Sequence, residues 1–445
     1  NKAPNTTVNE IDWGLPGMLP VLNRQAVVLA VRAAKALGSP VNKVSRFDRK
    51  HYFYPDLPKG YQTSQFYQPI IGEGLVKVPC EEGDFAVRIE HAHLEEDAGK
   101  LTHFGDFSLI DLNRCGTPLI EIVTMPDIHS VKQARAFAME LHRLMTFAGV
   151  TLGDLYNGNM RFDVNISVAK KGADKLGKRA EIKNLNSFKS VEKAAEYEFF
   201  RQVDLLEKGE PVVQETRGFD ESKQRTFSQR SKEEAQDYRY MPDPDIPPIV
   251  LNDDMIDEML AEMPKLPDYY RATWAKMGLD ETVTIALLSS PALARAIDRI
   301  YQKTNEATTR RIAFWFLLGM GEDGEMTTTD FSNLNDDHLI ELSKMVDDGE
   351  LSSTSAKEVF LAMQTSSDSP RQIAEAKKLI QVNDDSAIEA FVEEVLQSDM
   401  GQKALDDIKN GNPKAIGFIV GQVMKLSRGQ ANPQIVQQIL QKHLK

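Results

Sequence analysis

Polar and apolar residues alternate in Arg161-Phe162-Asp163-Val164-Asn165-Ile166-Ser167-Val168, and the pattern returns in Arg179-Ala180-Glu181-Ile182-Lys183. A period of two places successive side chains on opposite faces of a β-strand. Paired as a hairpin, the two strands would present two acidic and three basic side chains on one sheet face. Such a face is either a binding surface or a solvated face with cross-strand ion pairs, and spacing alone leaves both interpretations open.

Three helix-length segments interrupt the strands of the first 240 residues. They lie near 22–37, after Ser130 and near 190–207. Ser130 and Gln133 have the spacing of a capping box, and apolar residues follow at helical intervals. Because neither a βαβ alternation nor a glycine-rich dinucleotide motif is found, the pattern predicts an α+β fold with a large β-rich domain.

Prolines delimit the β-rich part of the chain. Six of them between residues 242 and 267 bracket a short acidic helix, and each blocks regular pairing. Helical spacing then continues to the end, with a Gly/Asp/Thr-rich break at 319–330. We predict a β-rich domain at 1–245, a Pro-rich strap at 246–268, a helical domain at 269–330 and a helical tail domain at 331–445.

The composition of the 445 residues excludes several classes of protein. No run approaches the roughly 18 apolar residues of a membrane span, and two cysteines rule out a disulfide framework. We predict a cytoplasmic protein with no membrane partner. A net charge of −13 argues against whole-surface binding to nucleic acid, so no DNA partner is expected.

The last 45 residues form a basic end on this acidic chain, with seven lysine or arginine residues against two acidic ones. A helical stripe combines small and basic residues and is bordered by Phe418: Lys414, Gly417, Gly421, Lys425 and Arg428. Bare glycines between cations let a phosphate backbone approach, and Phe418 offers a stacking face. Close helix packing across the two glycines is the alternative; the local charge favours RNA.

Two acidic segments are candidates for metal chemistry. Glu121 lies in the apolar run Thr117–Val123, where a desolvated carboxylate needs a cation or a proton. A strand with one wet face explains this residue equally well. Glu95, Glu96 and Asp97 cluster oxygen donors that suit Mg²⁺, although alternation turns Glu96 away from the other two, and a charged turn is the more frequent reason for such a triplet.

Basic residues flank an aromatic segment near the N-terminus. Asp48-Arg49-Lys50 and Pro58-Lys59-Gly60-Tyr61 enclose His51-Tyr52-Phe53-Tyr54. This combination holds a nucleotide or an RNA end by stacking and charge, and it is also the composition of an ordinary hairpin edge.

Long, ordered motifs carry a family resemblance. The chain resembles GatB, one of the subunits of the glutamyl-/aspartyl-tRNA amidotransferase, throughout its length. The resemblance rests on Phe47–Tyr61, His93–Lys100, Asp111–Arg114, Glu181–Ser187, Asp237–Tyr240 and Gly417–Lys425.

The resemblance implies a fold, a reaction and partners. The fold is a cradle domain, a helical domain and a tail domain that binds tRNA. The reaction uses ATP to phosphorylate the side-chain carboxylate of Glu-tRNA(Gln) or Asp-tRNA(Asn). Ammonia released from glutamine by the amidase subunit, GatA, then displaces phosphate, and the small subunit, GatC, completes the heterotrimer.

The resemblance also implies roles for particular residues. Carboxylates around a cradle Mg²⁺ correspond to Glu95, Glu96, Glu121 and Glu181. Lys50 corresponds to a basic residue of the same pocket and, with Glu121 and Glu181, is expected to be catalytic. ATP contacts are expected from Lys50, Arg161, Asp163 and Lys183. Mg²⁺ held by these carboxylates would bridge phosphate oxygens. The same ion would be the cation that the Glu121 carboxylate needs.

Two departures from the family pattern carry further expectations. The family opens with a strand bearing Gly-Leu-Glu-x-His, and the chain is expected to lack this strand. Many members carry Cys-x-x-Cys where this chain has Asn9 and Asp12. His91 and His93 share a strand face but have no third histidine or cysteine nearby, so no zinc is expected.

Three alternatives remain at this point. A noncatalytic tRNA-binding scaffold would have no use for the clustered carboxylates. The related GatE protein carries an inserted domain for which the helical run after residue 269 leaves no room. A metal-dependent hydrolase is disfavoured because no nucleophile–base pair is found in the sequence.

Overall fold

The computed structural model describes residues 2–231, 237–319, 335–381, 385–409, 415–427 and 431–443. These residues form two compact units that divide between Pro267 and Asp268. The strands all belong to the first unit, and the second consists of helices. The α+β class predicted from the sequence is confirmed.

The first unit contains four helices and thirteen strands among its described residues. The helices are α1 (Arg24–Ala36), α2 (Val131–Phe147), α3 (Phe188–Glu207) and α4 (Asp253–Leu260). The strands are β1 (Val44–His51), β2 (Tyr61–Gln68), β3 (Gly74–Val78), β4 (Phe85–Glu96), β5 (Lys100–Phe104), β6 (Phe107–Asp111), β7 (Pro118–Thr124), β8 (Phe162–Ile166), β9 (Ala180–Leu185), β10 (Glu215–Asp220), β11 (Arg225–Ser231), β12 (Met241–Pro242) and β13 (Ile249–Val250).

The three helices expected before residue 240 and the acidic helix between the prolines are all present. Each starts where its sequence supplies a cap. The hydroxyl of Ser130 accepts from the backbone N–H of Gln133 at the start of α2, and Asn252 caps α4 in the same way. Such caps satisfy donors that a helix start leaves without partners.

Small and branched apolar side chains build the main core of the first unit. Helix α1 buries an alanine- and valine-rich face against β4 and against helices α2 and α4. A second, smaller core lies between α2, α3 and strands β8 and β9. These cores each cover one face of a sheet.

The sheets that carry the polar residues are mostly antiparallel. One sheet has the order β3-β4-β7, and a second has the order β11-β10-β9-β8. In a third, β1 pairs with β2 on one edge and with β12 and β13 on the other. Strands β5 and β6 form a separate hairpin.

One connection departs from the sequence prediction. Strand β10 pairs with β9 in parallel, and helix α3 connects them, so β9-α3-β10 is a βαβ unit. The sequence showed no βαβ rhythm because a single unit has no repeat to detect. A parallel pair requires a long crossover connection, and α3 supplies it.

The second unit contains eleven α-helices among its described residues. They are α5 (Pro267–Lys276), α6 (Glu281–Leu287), α7 (Pro291–Lys303), α8 (Glu306–Phe316), α9 (Asp336–Asp347), α10 (Ser353–Met363), α11 (Pro370–Ala376), α12 (Asp385–Gln397), α13 (Asp399–Lys409), α14 (Ala415–Leu426) and α15 (Pro433–His443). Helices α12 to α15 share one apolar core. No helix in the described part of the chain is both long and apolar enough to cross a membrane.

The division of the helical part at residue 330 stays a prediction. The break expected at 319–330 lies outside the described residues except for its first position.

Candidate active site

Strands β4 and β7 bring three potential metal ligands together. His93 and Glu95 are two residues apart on β4, so their side chains share one face of the sheet. The antiparallel register places Glu121 of β7 directly opposite His93. A residue distant in sequence thereby completes a cluster that two neighbouring residues begin.

The three side chains lie at distances that suit ligands of a common cation. His93 Nε2 is 3.7 Å from Glu95 Oε2 and 3.6 Å from Glu121 Oε2, longer than ordinary hydrogen bonds. One ligand atom from each residue lies within 4.8 Å of the others. Two carboxylates and one imidazole are a donor set that fits a divalent cation, and the carboxylate oxygens suit Mg²⁺.

Burial orients the histidine in this cluster. The side chains of His93 and Glu95 are 11% and 14% exposed. The ring of His91 stacks on that of His93 with centroids 5.5 Å apart, and His93 Nδ1 is buried without a hydrogen-bond partner among the described residues. Nε2 is therefore the nitrogen that the carboxylates face.

Glu121 is more exposed than its apolar neighbours suggest. Its side chain is 55% exposed, while Ile120 and Ile122 pack against the main core. The strand thus has one wet face, and the interpretation of Glu121 as a buried carboxylate is wrong. Partial loss of hydration, followed by the charge of Glu95, still raises the pKa of the Glu121 carboxyl group.

Two lysines lie close enough to act on the charge of Glu121. Lys50 of β1 and Lys183 of β9 both counteract the rise in its pKa. They come from two different sheets, so the sheets converge at the cluster. The Nζ atom of Lys50 lies 4.9 Å from the ring centroid of Tyr238.

The strand pair predicted from alternation forms as expected. Strands β8 and β9 are antiparallel, with Asn165 opposite Glu181. Lys183 lies 3.1 Å from Asp163 and 2.9 Å from Glu181. Desolvation lowers the pKa of the Lys183 ammonium, but pairing with these two carboxylates outweighs it and the pKa is raised.

Three residues proposed from the resemblance are engaged outside the carboxylate–imidazole cluster. Glu96 faces the opposite side of β4, where its carboxylate lies 2.6 Å from Lys59 and accepts from the Thr63 N–H. Glu181 holds Lys183. The guanidinium of Arg161 donates to Asp97.

Sequence reasoning did not include His93 in the metal site. The signal was the i, i+2 spacing of His93 and Glu95 on one strand, but only histidine and cysteine were considered as further ligands. The third ligand is a carboxylate from another strand, and its register is not visible in the sequence.

Helix α14 carries the part of the basic stripe that the structure describes. Ile419 and Val423 are buried, while Phe418 and Lys425 are exposed. A Cβ added at Gly417 or Gly421 would meet no atom within 4 Å. Close packing of a helix across these glycines is therefore not found among the described residues. Lys414 and Arg428 lie outside the described residues.

Two family models match the chain. The model described as the GatB/GatE catalytic domain matches residues 1–257, and the model described as the GatB domain matches residues 297–444. The first match defines the strand-containing unit as a catalytic domain of the GatB/GatE type.

Curated relatives are similar over almost the full chain. The GatB subunit of the aspartyl/glutamyl-tRNA(Asn/Gln) amidotransferase from Thermotoga maritima is 43% identical over 450 residues, covering 99% of this chain and 92% of the relative. The protein of the same name from Hydrogenovibrio crunogenus is 44% identical over 449 residues, covering 100% of this chain and 94% of the relative. The chain belongs to the GatB family of tRNA amidotransferase subunits.

Proposed function

We propose that the chain amidates misacylated Glu-tRNA(Gln), Asp-tRNA(Asn) or both, with ATP as phosphoryl donor. Membership of the GatB family supports the reaction. The observation that carries the catalytic role is the cluster of His93, Glu95 and Glu121, within electrostatic reach of Lys50 and Lys183.

The proposed reaction has two steps. The γ-phosphoryl group of ATP moves to a side-chain carboxylate oxygen of the aminoacyl group, and ADP leaves. The nitrogen of ammonia then attacks the acyl carbon, the bond from carbon to the phosphate oxygen breaks, and the nitrogen loses a proton as phosphate departs. The first step is needed because a free carboxylate is a poor electrophile at neutral pH.

The residues of the chain would mainly position groups and offset charge, as phosphoryl transfer requires. His93, Glu95 and Glu121 would hold Mg²⁺. When bound, the ion would neutralise charge on phosphate oxygens. Lys50 and Lys183 would stabilise the remaining negative charge of the transferred group.

Asp163 and Glu181 are positioning residues in this proposal. Both carboxylates lie within 3.1 Å of Lys183 Nζ. A lysine side chain has four rotatable bonds, and two anionic partners restrict where its ammonium rests.

The proposal includes partners. Ammonia would come from glutamine through the amidase subunit GatA, and the small subunit GatC would complete a heterotrimer. The name that the relatives carry, which describes one part of an amidotransferase, supports a multisubunit complex. The complex would act in the cytoplasm, where charged tRNA is used.

Release of ADP by the assembled complex tests the function. We expect release that depends on Glu-tRNA(Gln) or Asp-tRNA(Asn). Uncharged tRNA and Gln-tRNA(Gln) are the matched controls, because neither offers a side-chain carboxylate. If charged tRNA binds but causes no ADP release above these controls, the chain is a tRNA-binding scaffold instead.

Helix α14 is proposed to contact tRNA through Gly417, Phe418, Gly421 and Lys425. The exposure of these residues and the open space beside both glycines support a surface that a phosphate backbone can approach. Lys414 and Arg428 remain part of the proposed stripe from the sequence.

Replacement of Lys425 by glutamate should weaken tRNA binding. Loss of one phosphate contact lowers the slope of log affinity against log salt concentration by about 0.9 for a duplex. The slope is measured by titrating the complex with tRNA at several salt concentrations. Lys357→Glu, at an exposed position on α10, is the control for net charge. Equal slopes for the two variants would mean that Lys425 touches no phosphate.

A further inference from the structure

An aromatic array lies beside the proposed catalytic cluster. The ring of Phe66 stacks on Tyr240, with centroids 4.2 Å apart and planes inclined by 18°. Tyr240 meets Tyr238 edge-on at 6.2 Å, and Tyr238 meets Tyr52 in the same way at 6.2 Å. Lys50 lies over the ring of Tyr238. The array thus ends at a lysine of the proposed site.

A bulge in β2 turns Phe66 outward. Pairing of β1 with β2 shifts between Arg46 and Asp48. The carboxylate of Asp48, which is buried, accepts from the backbone N–H groups of Phe66 and Tyr67. A bulge re-aims side chains at the point where regular pairing ends.

The same bulge is tied to the strand that carries the cluster. Oε1 of the buried Gln65 accepts from the backbone N–H of Leu94 at 3.0 Å. Leu94 lies between His93 and Glu95 on β4. Because Phe66 is the residue after Gln65, this hydrogen bond links the position of Phe66 to the strand that carries the cluster. Burial, with Glu95 and Glu121 among the contributing charges, raises the pKa of the Tyr240 phenol to about 12.

Phe66 is the exposed ring of this array. It is 57% exposed, although Tyr240 stacks on it and Tyr67 packs at right angles to it with centroids 4.9 Å apart. Exposed aromatic rings beside a cation are the usual platform for a nucleobase, because every base offers a π-face. In the segment His51–Tyr54, Tyr52 belongs to the array, whereas Phe53 lies over Gly60.

We propose that Phe66, backed by Tyr240, is a stacking site for the adenine base of a nucleotide. The phosphate groups of this nucleotide extend toward Lys50 and the carboxylate–imidazole cluster. The inference rests on the proposed function, which supplies two adenine bases: that of ATP and that of the 3′-terminal nucleotide of tRNA. The stacked chemistry is the same for both, and binding measurements separate them.

The test is the Phe66→Leu variant of the assembled complex, with binding measured in the absence of turnover. One arm compares the affinity for ATP with that for inorganic tripolyphosphate, which has no base. The other compares intact tRNA with tRNA lacking its terminal adenosine. In each arm, the affinity of the ligand with the base divided by that of the ligand without it measures the advantage conferred by the base. This ratio should fall about 5- to 100-fold in one arm, and that arm identifies the source of the adenine.

Three further variants make the result specific. Phe200→Leu makes the same change at a similarly exposed residue of α3 and should preserve both advantages. Tyr240→Phe keeps the stacked ring and should preserve them too. Phe66→Trp enlarges the π-face and should retain the base preference, even if Phe66→Leu lowers the thermal midpoint.

Unchanged advantages in both arms of Phe66→Leu would overturn the stacking site. This result is independent of ADP release, because neither arm involves catalysis. A complex that binds through Phe66 without tRNA-dependent ADP release would contradict the proposed function and leave the stacking site intact.

Discussion

Replacing Glu121 by glutamine is expected to reduce charged-tRNA-dependent ATP cleavage by at least about 100-fold, the usual cost of removing one group that stabilises transition-state charge. The amide keeps the size of the side chain but removes the charge that faces His93 and Glu95. A cation held by the cluster would lose one of two anionic ligands. Binding of tRNA should stay within about twofold of wild type.

ADP release and tRNA affinity are measured on the same preparation of the complex. Glu90→Gln is the control, because Glu90 is a similarly exposed glutamate on β4 that lies outside the cluster. Raising the Mg²⁺ concentration should partly restore cleavage in Glu121→Gln if the loss is one of metal affinity. Normal cleavage in Glu121→Gln at low Mg²⁺ would remove this residue from the mechanism.

Glu96→Gln is expected to destabilise the first unit by roughly 3 kcal/mol, near the low end for breaking a buried ion pair. The side chain of Lys59 is only 6% exposed, and Glu96 is its closest anionic partner at 2.6 Å. Asp12, at 3.8 Å, remains as a second partner and limits the loss. Affinity for Mg²⁺ should be unchanged, because the Glu96 carboxylate faces away from the cluster.

Denaturant unfolding and Mg²⁺ titration check the two parts of this prediction. Combining Glu96→Gln with Lys59→Met removes both charges and should recover most of the lost stability. Glu81→Gln breaks a largely exposed pair with Lys132 and should cost less than about 1 kcal/mol. A stable Glu96→Gln variant with weakened Mg²⁺ binding would make Glu96 a metal ligand, as the family resemblance implies.

The positions of the metal ligands were harder to predict than the strands. They depend both on alternation along one strand and on the register between two strands. Alternation correctly separates Glu96 from Glu95, since neighbours on one strand face opposite ways. It does not say which residue of β7 stands opposite His93. A one-residue change of register would turn Glu121 to the other face of the sheet.

The aromatic residues illustrate the same limit. The sequence directs attention to His51–Tyr54, where aromatic and basic residues are contiguous. The observed array instead combines Tyr52 and Phe66 with Tyr238 and Tyr240, which are about 170 residues further along the chain. Pairing of β1 with β12 brings these segments together.

Local sequence patterns correctly predicted the α+β class, the three early helices with the cap at Ser130, and the strand pair that carries Lys183. These features depend on interactions between residues a few positions apart, which periodicity and capping report directly. Tertiary contacts were needed to show that His93 joins Glu95 and Glu121, that Glu96 pairs with Lys59, and that Phe66 stacks on Tyr240. Strand register and sheet convergence are set by packing of the whole core, and no local pattern records them.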